Sequence, residues 1–117
     1  MITTVFAYGQ DEDRLLVKEI SKHLKANSMD EITKYFASEL QLSLLEQDGI
    51  YTKSEAIKIV TTFFENYPTD NYQEKHSGDS PDGNIFSIGE IKKEEEVYRV
   101  YFVVNDNHIQ EFCVEID

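Results

Sequence analysis

Tryptophan is absent from the chain, cysteine occurs once, proline twice, and eleven bases face twenty-three acids. Each shortage closes a class of protein. The lone Cys113 leaves neither an internal disulfide nor a multi-cysteine zinc centre. A formal net charge of -12, with no stripe of lysine or arginine to release counterions, disfavours nucleic acid and anionic membrane surfaces as partners. No apolar run approaches the roughly 20 residues of a membrane-crossing helix. Gly-rich phosphate loops, Gly-x-Ser-x-Gly elbows and histidines at ligand spacing are all missing, so no cofactor, bound metal or catalytic nucleophile is expected.

What remains is enough for one core. A chain of 117 residues buries about two-thirds of its unfolded surface on folding, and seven Tyr and seven Phe supply large apolar side chains. Most of these rings are expected to pack rather than to bind.

Residues 1–10 carry no charge and end abruptly at Asp11-Glu-Asp-Arg14. This junction reads as the remnant of a signal peptide, which would place the protein outside the cytoplasm, or as an N-terminal arm if Met1 is the true start. Residues 11–117 read as a single domain. Leu16, Ile20, His23 and Leu24 share one helical face over Asp11 to Ala26, with acids at its beginning and lysines at its end. Asn27 closes that helix, and Ser28 with Glu31 forms a capping-box signature for a second helix whose stripe is Ile32, Tyr35 and Phe36.

Leu40, Leu42 and Leu44 alternate with polar residues as in a half-buried strand, and Asp48-Gly49 is expected to turn the chain. Thr52 and Glu55 cap a third helix carrying Ala56, Ile59, Val60, Phe63, Phe64 and Tyr67 up to Pro68. Tyr72 to Ser77 suits a strand before the Gly78-to-Gly83 loop. Three strands follow, Ile85 to Ile91, Val97 to Asn105 and Ile109 to Ile116, with gaps short enough for an antiparallel meander. Tyr98, Val100, Phe102 and Val104 share one face, expected to meet the helices together with Phe112, Val114 and Ile116. The opposite face, with Tyr101, Val103, Ile109 and Cys113, is too apolar for open water. It is a candidate homodimer interface, unless the third helix or the N-terminal arm covers it.

The run Tyr35-Phe36-Ala37, Leu40 to Leu45, Asp48-Gly49-Ile50-Tyr51-Thr52-Lys53, Glu55-Ala56-Ile57 and Phe63-Phe64 resembles the nuclear-transport-factor-two-like superfamily. That superfamily includes ketosteroid isomerase and polyketide cyclases. Tyr98-Arg99-Val100-Tyr101-Phe102 and Val114-Glu115-Ile116 are similar to a branch of small exported Bacteroidota proteins known as a domain of unknown function. The resemblance implies an α+β, cystatin-like cone: two N-terminal helices, a strand, a third helix, then a curved antiparallel meander. It also implies a carboxylate base on the first strand, at the place where this chain has Leu44. Leucine takes no proton, so the resemblance carries the fold and weakens the isomerase chemistry.

Arg99, in the middle of a strand, is either an anchor for a carboxylate ligand or partner, or a cross-strand mate of Glu90 or Glu111. Tyr35 and Tyr51 either offer hydroxyls at the mouth of the cone or pack with a wet tip. His23 suits a core position; His76 and His108 border loops. The residues therefore point to a non-catalytic binding or interaction domain with an apolar pocket between sheet and helices. It would take a small apolar or carboxylate ligand or a protein partner. The alternative is an isomerase or dehydratase-type enzyme using Glu46, a tyrosine and Arg99, which requires those groups to converge.

Overall fold

The computed structural model describes the chain from residue 2 to residue 117, with side chains from residue 10 onward. Helix α1 spans Ile2–Lys25, α2 spans Met29–Thr33 and α3 spans Lys53–Asn66; the strands are β1 Phe36–Leu44, β2 Gln47–Thr52, β3 Gln73–Asp79, β4 Ile85–Lys93, β5 Glu96–Asn105 and β6 His108–Ile116. The two expectations for residues 1–10, processing remnant or packed arm, fall mostly on side chains outside the described residues. Because α1 begins at Ile2, Asp11, Glu12 and Asp13 lie in its middle, not at its N-terminus. Asp13 is buried there, and its carboxylate accepts the Asn107 backbone N–H at 2.9 Å, tying α1 to the β5–β6 turn.

The end of α1 follows from Asn27, which takes the left-handed conformation at φ 57°. Ser28 N–H then donates to the His23 carbonyl at 2.8 Å and Asn27 N–H to that of Leu24 at 2.9 Å, a Schellman closure that satisfies two otherwise orphaned carbonyls. The capping box expected at Ser28 does not form, because the Glu31 carboxylate turns to Lys34 Nζ instead. The one at Thr52 does: Thr52 Oγ1 accepts from the Glu55 N–H, and the Glu55 carboxylate accepts from the Thr52 N–H at 3.0 Å.

One six-stranded sheet, in the order β2-β1-β6-β5-β4-β3, curves around the helices without closing. All neighbours are antiparallel except β1 and β6, which run parallel. Helix α1 lies over β4 and β5, α3 over β1 and β2, and α2 bridges the two helices. Tyr98, Val100, Phe102 and Val104 face inward as the alternation requires, with Phe112 and Val114 beside them. Phe36, Phe64 and Phe102 all pack against Phe112, Phe102 stacked on it, Phe64 edge-on and Phe36 tilted; with Phe36, Phe102 and Phe112 almost wholly buried, aromatic side chains occupy the cone interior.

One helix expectation needs correction, since α2 ends at Thr33 and Phe36 opens β1, so Tyr35 and Phe36 are not on its stripe; three strand expectations do as well. Leu44 pairs with Gln47, so Leu45-Glu46 makes the two-residue turn and Asp48-Gly49 lies inside β2, with Gly49 opposite Leu42. Ile116, expected inside, is 57% exposed at the sheet end. Ile109, expected on the outer face, is fully buried: Val103 pairs with Glu111 and Val104 with Ile109, so Gln110 is an extra residue that flips the alternation.

Candidate functional site

The β1–β2 turn, the last turns of α3 and the end of β6 meet at one rim of the cone. Leu45 sits in that turn at φ 57°, unusual for a side chain of its size, and its N–H donates to the Val114 carbonyl at 3.0 Å. The geometry presents the Leu45 side chain at the rim instead of the core. Phe63 in the last turn of α3, next to the buried Phe64, and Tyr67, the residue that ends the helix, bring their rings to the same rim.

Between these elements runs a trough of about 810 Å³ lined by Leu44, Leu45, Phe63, Tyr67 and Ile116, together with Glu46, Gln47 and Glu115. A second groove of about 380 Å³ continues it along α3, sharing Leu44, Gln47, Phe63 and Tyr67 and ending at Lys58 and Ile59. The lining of the trough is mostly apolar and aromatic, with two carboxylates, Glu46 and Glu115, in it.

The rings are held in place. Phe63 stacks on Tyr67 with centroids 4.5 Å apart and planes within 10°, and Tyr98 meets Tyr67 edge-on at 5.2 Å. Over the Tyr67 ring, at 4.4 Å from its centroid, stands the Lys93 ammonium, close enough for a cation–π attraction. Burial, then the neighbouring Tyr67 and the Glu96 and Glu94 carboxylates, push the Tyr98 phenol above its ordinary range.

The residues picked from the sequence lie elsewhere and apart. Arg99 is on the outer sheet face, where it pairs with Glu115 at 3.4 Å and Asp117 at 3.7 Å, not with Glu90 or Glu111. Glu90 instead faces Lys75 at 3.7 Å. Tyr35 lies between α2 and β1 with the Lys34 ammonium 5.5 Å from its ring centroid, and Tyr51 lies on β2, where Gln47 Nε2 reaches its hydroxyl at 3.5 Å. Neither lines the trough. Glu46 is exposed in the turn and shares the trough lining with Tyr67, whereas Arg99 is not among the lining residues and is held by Glu115 and Asp117.

His23 stands 3.7 Å from Glu19, His76 lies against the Phe86 ring and His108 Nδ1 bonds the Asp106 carbonyl; among the described residues no three potential metal ligands gather. On the outer face Tyr101 is half-buried, flanked by Phe86 and paired with Cys113. Burial raises both the Tyr101 phenol and the Cys113 thiol, the latter held back in part by the Ser43 hydroxyl. Sequence reasoning missed the trough because its residues are a helix end, a turn and a strand end. The available signal was Phe63 and Tyr67 beside Phe64, more aromatic surface than one buried stripe uses.

A family profile described as "Domain of unknown function (DUF4783)" matches residues 17–117. No curated protein is significantly similar to the chain. Among solved structures, a DUF4783 family protein from Bacteroides ovatus is similar at 20% identity and a TM-score of 0.73, over 84% of this chain and 92% of that one. An NTF-2 like protein of unknown function from Burkholderia xenovorans superposes at a TM-score of 0.70 with 4% identity, over 93% and 85% of the two chains. A putative SnoaL-like polyketide cyclase from Jannaschia sp. CCS1 does so at 0.66 with 12% identity, over 92% and 86%. At these identities the likeness carries the fold alone, the α+β cone of the nuclear-transport-factor-two-like proteins.

Proposed function

The chain belongs to the DUF4783 family, and on that premise we propose that it is a non-catalytic binding or interaction domain whose site is the trough at the rim of the cone. One observation carries the reading. The interior where a relative would hold a substrate is packed with phenylalanine, while Leu44, Leu45, Phe63, Tyr67 and Ile116 line an open apolar concavity just outside it. Concave apolar surface with a few polar groups at its edge is the general form of a ligand site. Leu44, standing where the superfamily resemblance calls for a base, fits holding a ligand better than converting it.

The same reading has the protein act outside the cytoplasm as a homodimer. Export rests on the uncharged opening residues and their abrupt acidic boundary. Dimerisation rests on the outer face, where half-buried Tyr101 lies beside Phe86 and opposite Cys113; Val103, expected there, is 6% exposed and offers a partner little surface. Ile109 is no part of that face.

The trough is tested with a neutral fluorescent apolar probe, N-phenyl-1-naphthylamine. The reading expects saturable binding that Leu45→Arg weakens at least tenfold while the circular dichroism spectrum stays unchanged. Binding that is absent, or indifferent to Leu45→Arg and Ile116→Asp alike, refutes it. Export is checked by locating the protein in fractions of the cell that makes it, and recovery only from the cytoplasm counts against it.

A further inference from the structure

The trough carries carboxylates among its apolar lining. Glu46 and Glu115 line it, and Glu94 in the β4–β5 turn and Glu96 at the start of β5 are near enough to raise the phenol of Tyr98, the ring that packs edge-on against Tyr67. Of the nearby cations, Arg99 is engaged by Glu115 and Asp117. Lys93 has no carboxylate within ion-pair reach among the described residues, and its half-buried side chain lays its ammonium on the Tyr67 ring. With Phe63 stacked beneath, that ring is an aromatic platform already carrying a primary ammonium. The seat has its own internal occupant.

We infer that the trough receives an extended, apolar, lysine-bearing segment of a partner protein, whose ammonium takes the place over Tyr67 that Lys93 holds in the free protein. The inference rests on the trough being the binding site and adds the chemistry of what enters it. Three features carry it. These carboxylates attract a basic partner and repel the acidic one the rest of the surface would also reject. The platform suits an ammonium, and displacing Lys93 exchanges one lysine for another, so the contact over the ring is kept. The trough is long and open, continuing along α3 from Ile116 past Phe63 to Ile59, a shape for a chain and not for a compact molecule.

The experiment uses the full chain and a labelled peptide, acetyl-Leu-Lys-Leu-Lys-Leu-amide, read by fluorescence anisotropy. Replacing its lysines by norleucine keeps the apolar length and removes the charge; affinity is expected to fall at least tenfold. Lys93→Ala vacates the platform and is expected to tighten the lysine peptide severalfold, which loss of a merely structural contact does not do. Glu46→Gln and Glu115→Gln together are expected to weaken it. Equal affinity for the norleucine peptide on the wild-type chain overturns the inference even if a variant fails to fold, as does a Lys93→Ala protein that binds no better. A hexylammonium ion that displaces the peptide at comparable concentration makes the occupant a small amine, and refutes a protein segment. If the neutral probe binds while lysine confers no preference, this inference fails and the trough stands; if neither is bound, both fail.

Discussion

Gly89 carries no side chain because Tyr72 fills the space where one would be: a Cβ there would overlap the Tyr72 hydroxyl and ring. The tyrosine is buried, and its hydroxyl has no hydrogen-bond partner, so the contact is steric and apolar, clasping the start of β3 onto β4. Gly89→Ala should therefore lower stability by about 1–3 kcal/mol, the usual cost of overpacking, read as a fall in the urea midpoint. Tyr72→Phe removes an unpaired polar atom and should be neutral or mildly stabilising at pH 7. Burial is the main cause that pushes the Tyr72 phenol above its ordinary value. Its contribution is then whole below the unfolded tyrosine pKa and is lost as pH rises through the folded value. Tyr72→Phe should soften the alkaline loss of stability, and urea melts from pH 8 to pH 11 check it.

At the scale of elements, α3 shows what local chemistry settles. The Thr52–Glu55 box is present as the spacing requires, and Thr52→Ala should cost about 1 kcal/mol by urea denaturation. The Thr52 N–H, then its hydroxyl, hold the Glu55 carboxyl below its usual range. That contribution exists above the unfolded carboxylate pKa and disappears as pH falls through the folded value, so the deficit of Thr52→Ala should shrink between pH 7 and pH 3. Helix existence, the inward row of β5 and the meander were legible for the same reason: periodicity with one buried face leaves a single register. The β1–β2 turn was not. Asp48-Gly49 has the stronger turn propensity, yet closing the chain at Leu45-Glu46 pairs Leu40, Leu42 and Leu44 along their whole length with β2. The bulge at Gln110 was equally invisible, since one extra residue moves Ile109 to the core without altering composition.

For the whole molecule, the sequence shows which face of the sheet is inner but not what the curvature leaves open. The filled interior and the rim trough arise from residues distant in sequence, Leu45, Tyr67 and Ile116, none of which forms a motif with another. The candidates chosen by type, Tyr35, Tyr51 and Arg99, were scattered by the same curvature. The outer face supports a molecular prediction: the wild type should run as a dimer in size exclusion with light scattering, and Tyr101→Glu, which puts a charge in the centre of that face, should run as a monomer. The binding account itself is tested most directly by amide chemical shifts. Titration of the ¹⁵N-labelled chain with N-phenyl-1-naphthylamine should move the resonances of Leu45, Glu46, Gln47, Tyr67 and Ile116 in a saturable way, leaving Gly78 and the β3–β4 loop still. Shifts centred on the outer sheet face or on that loop, or none at millimolar probe, would contradict a binding site at the rim of the cone.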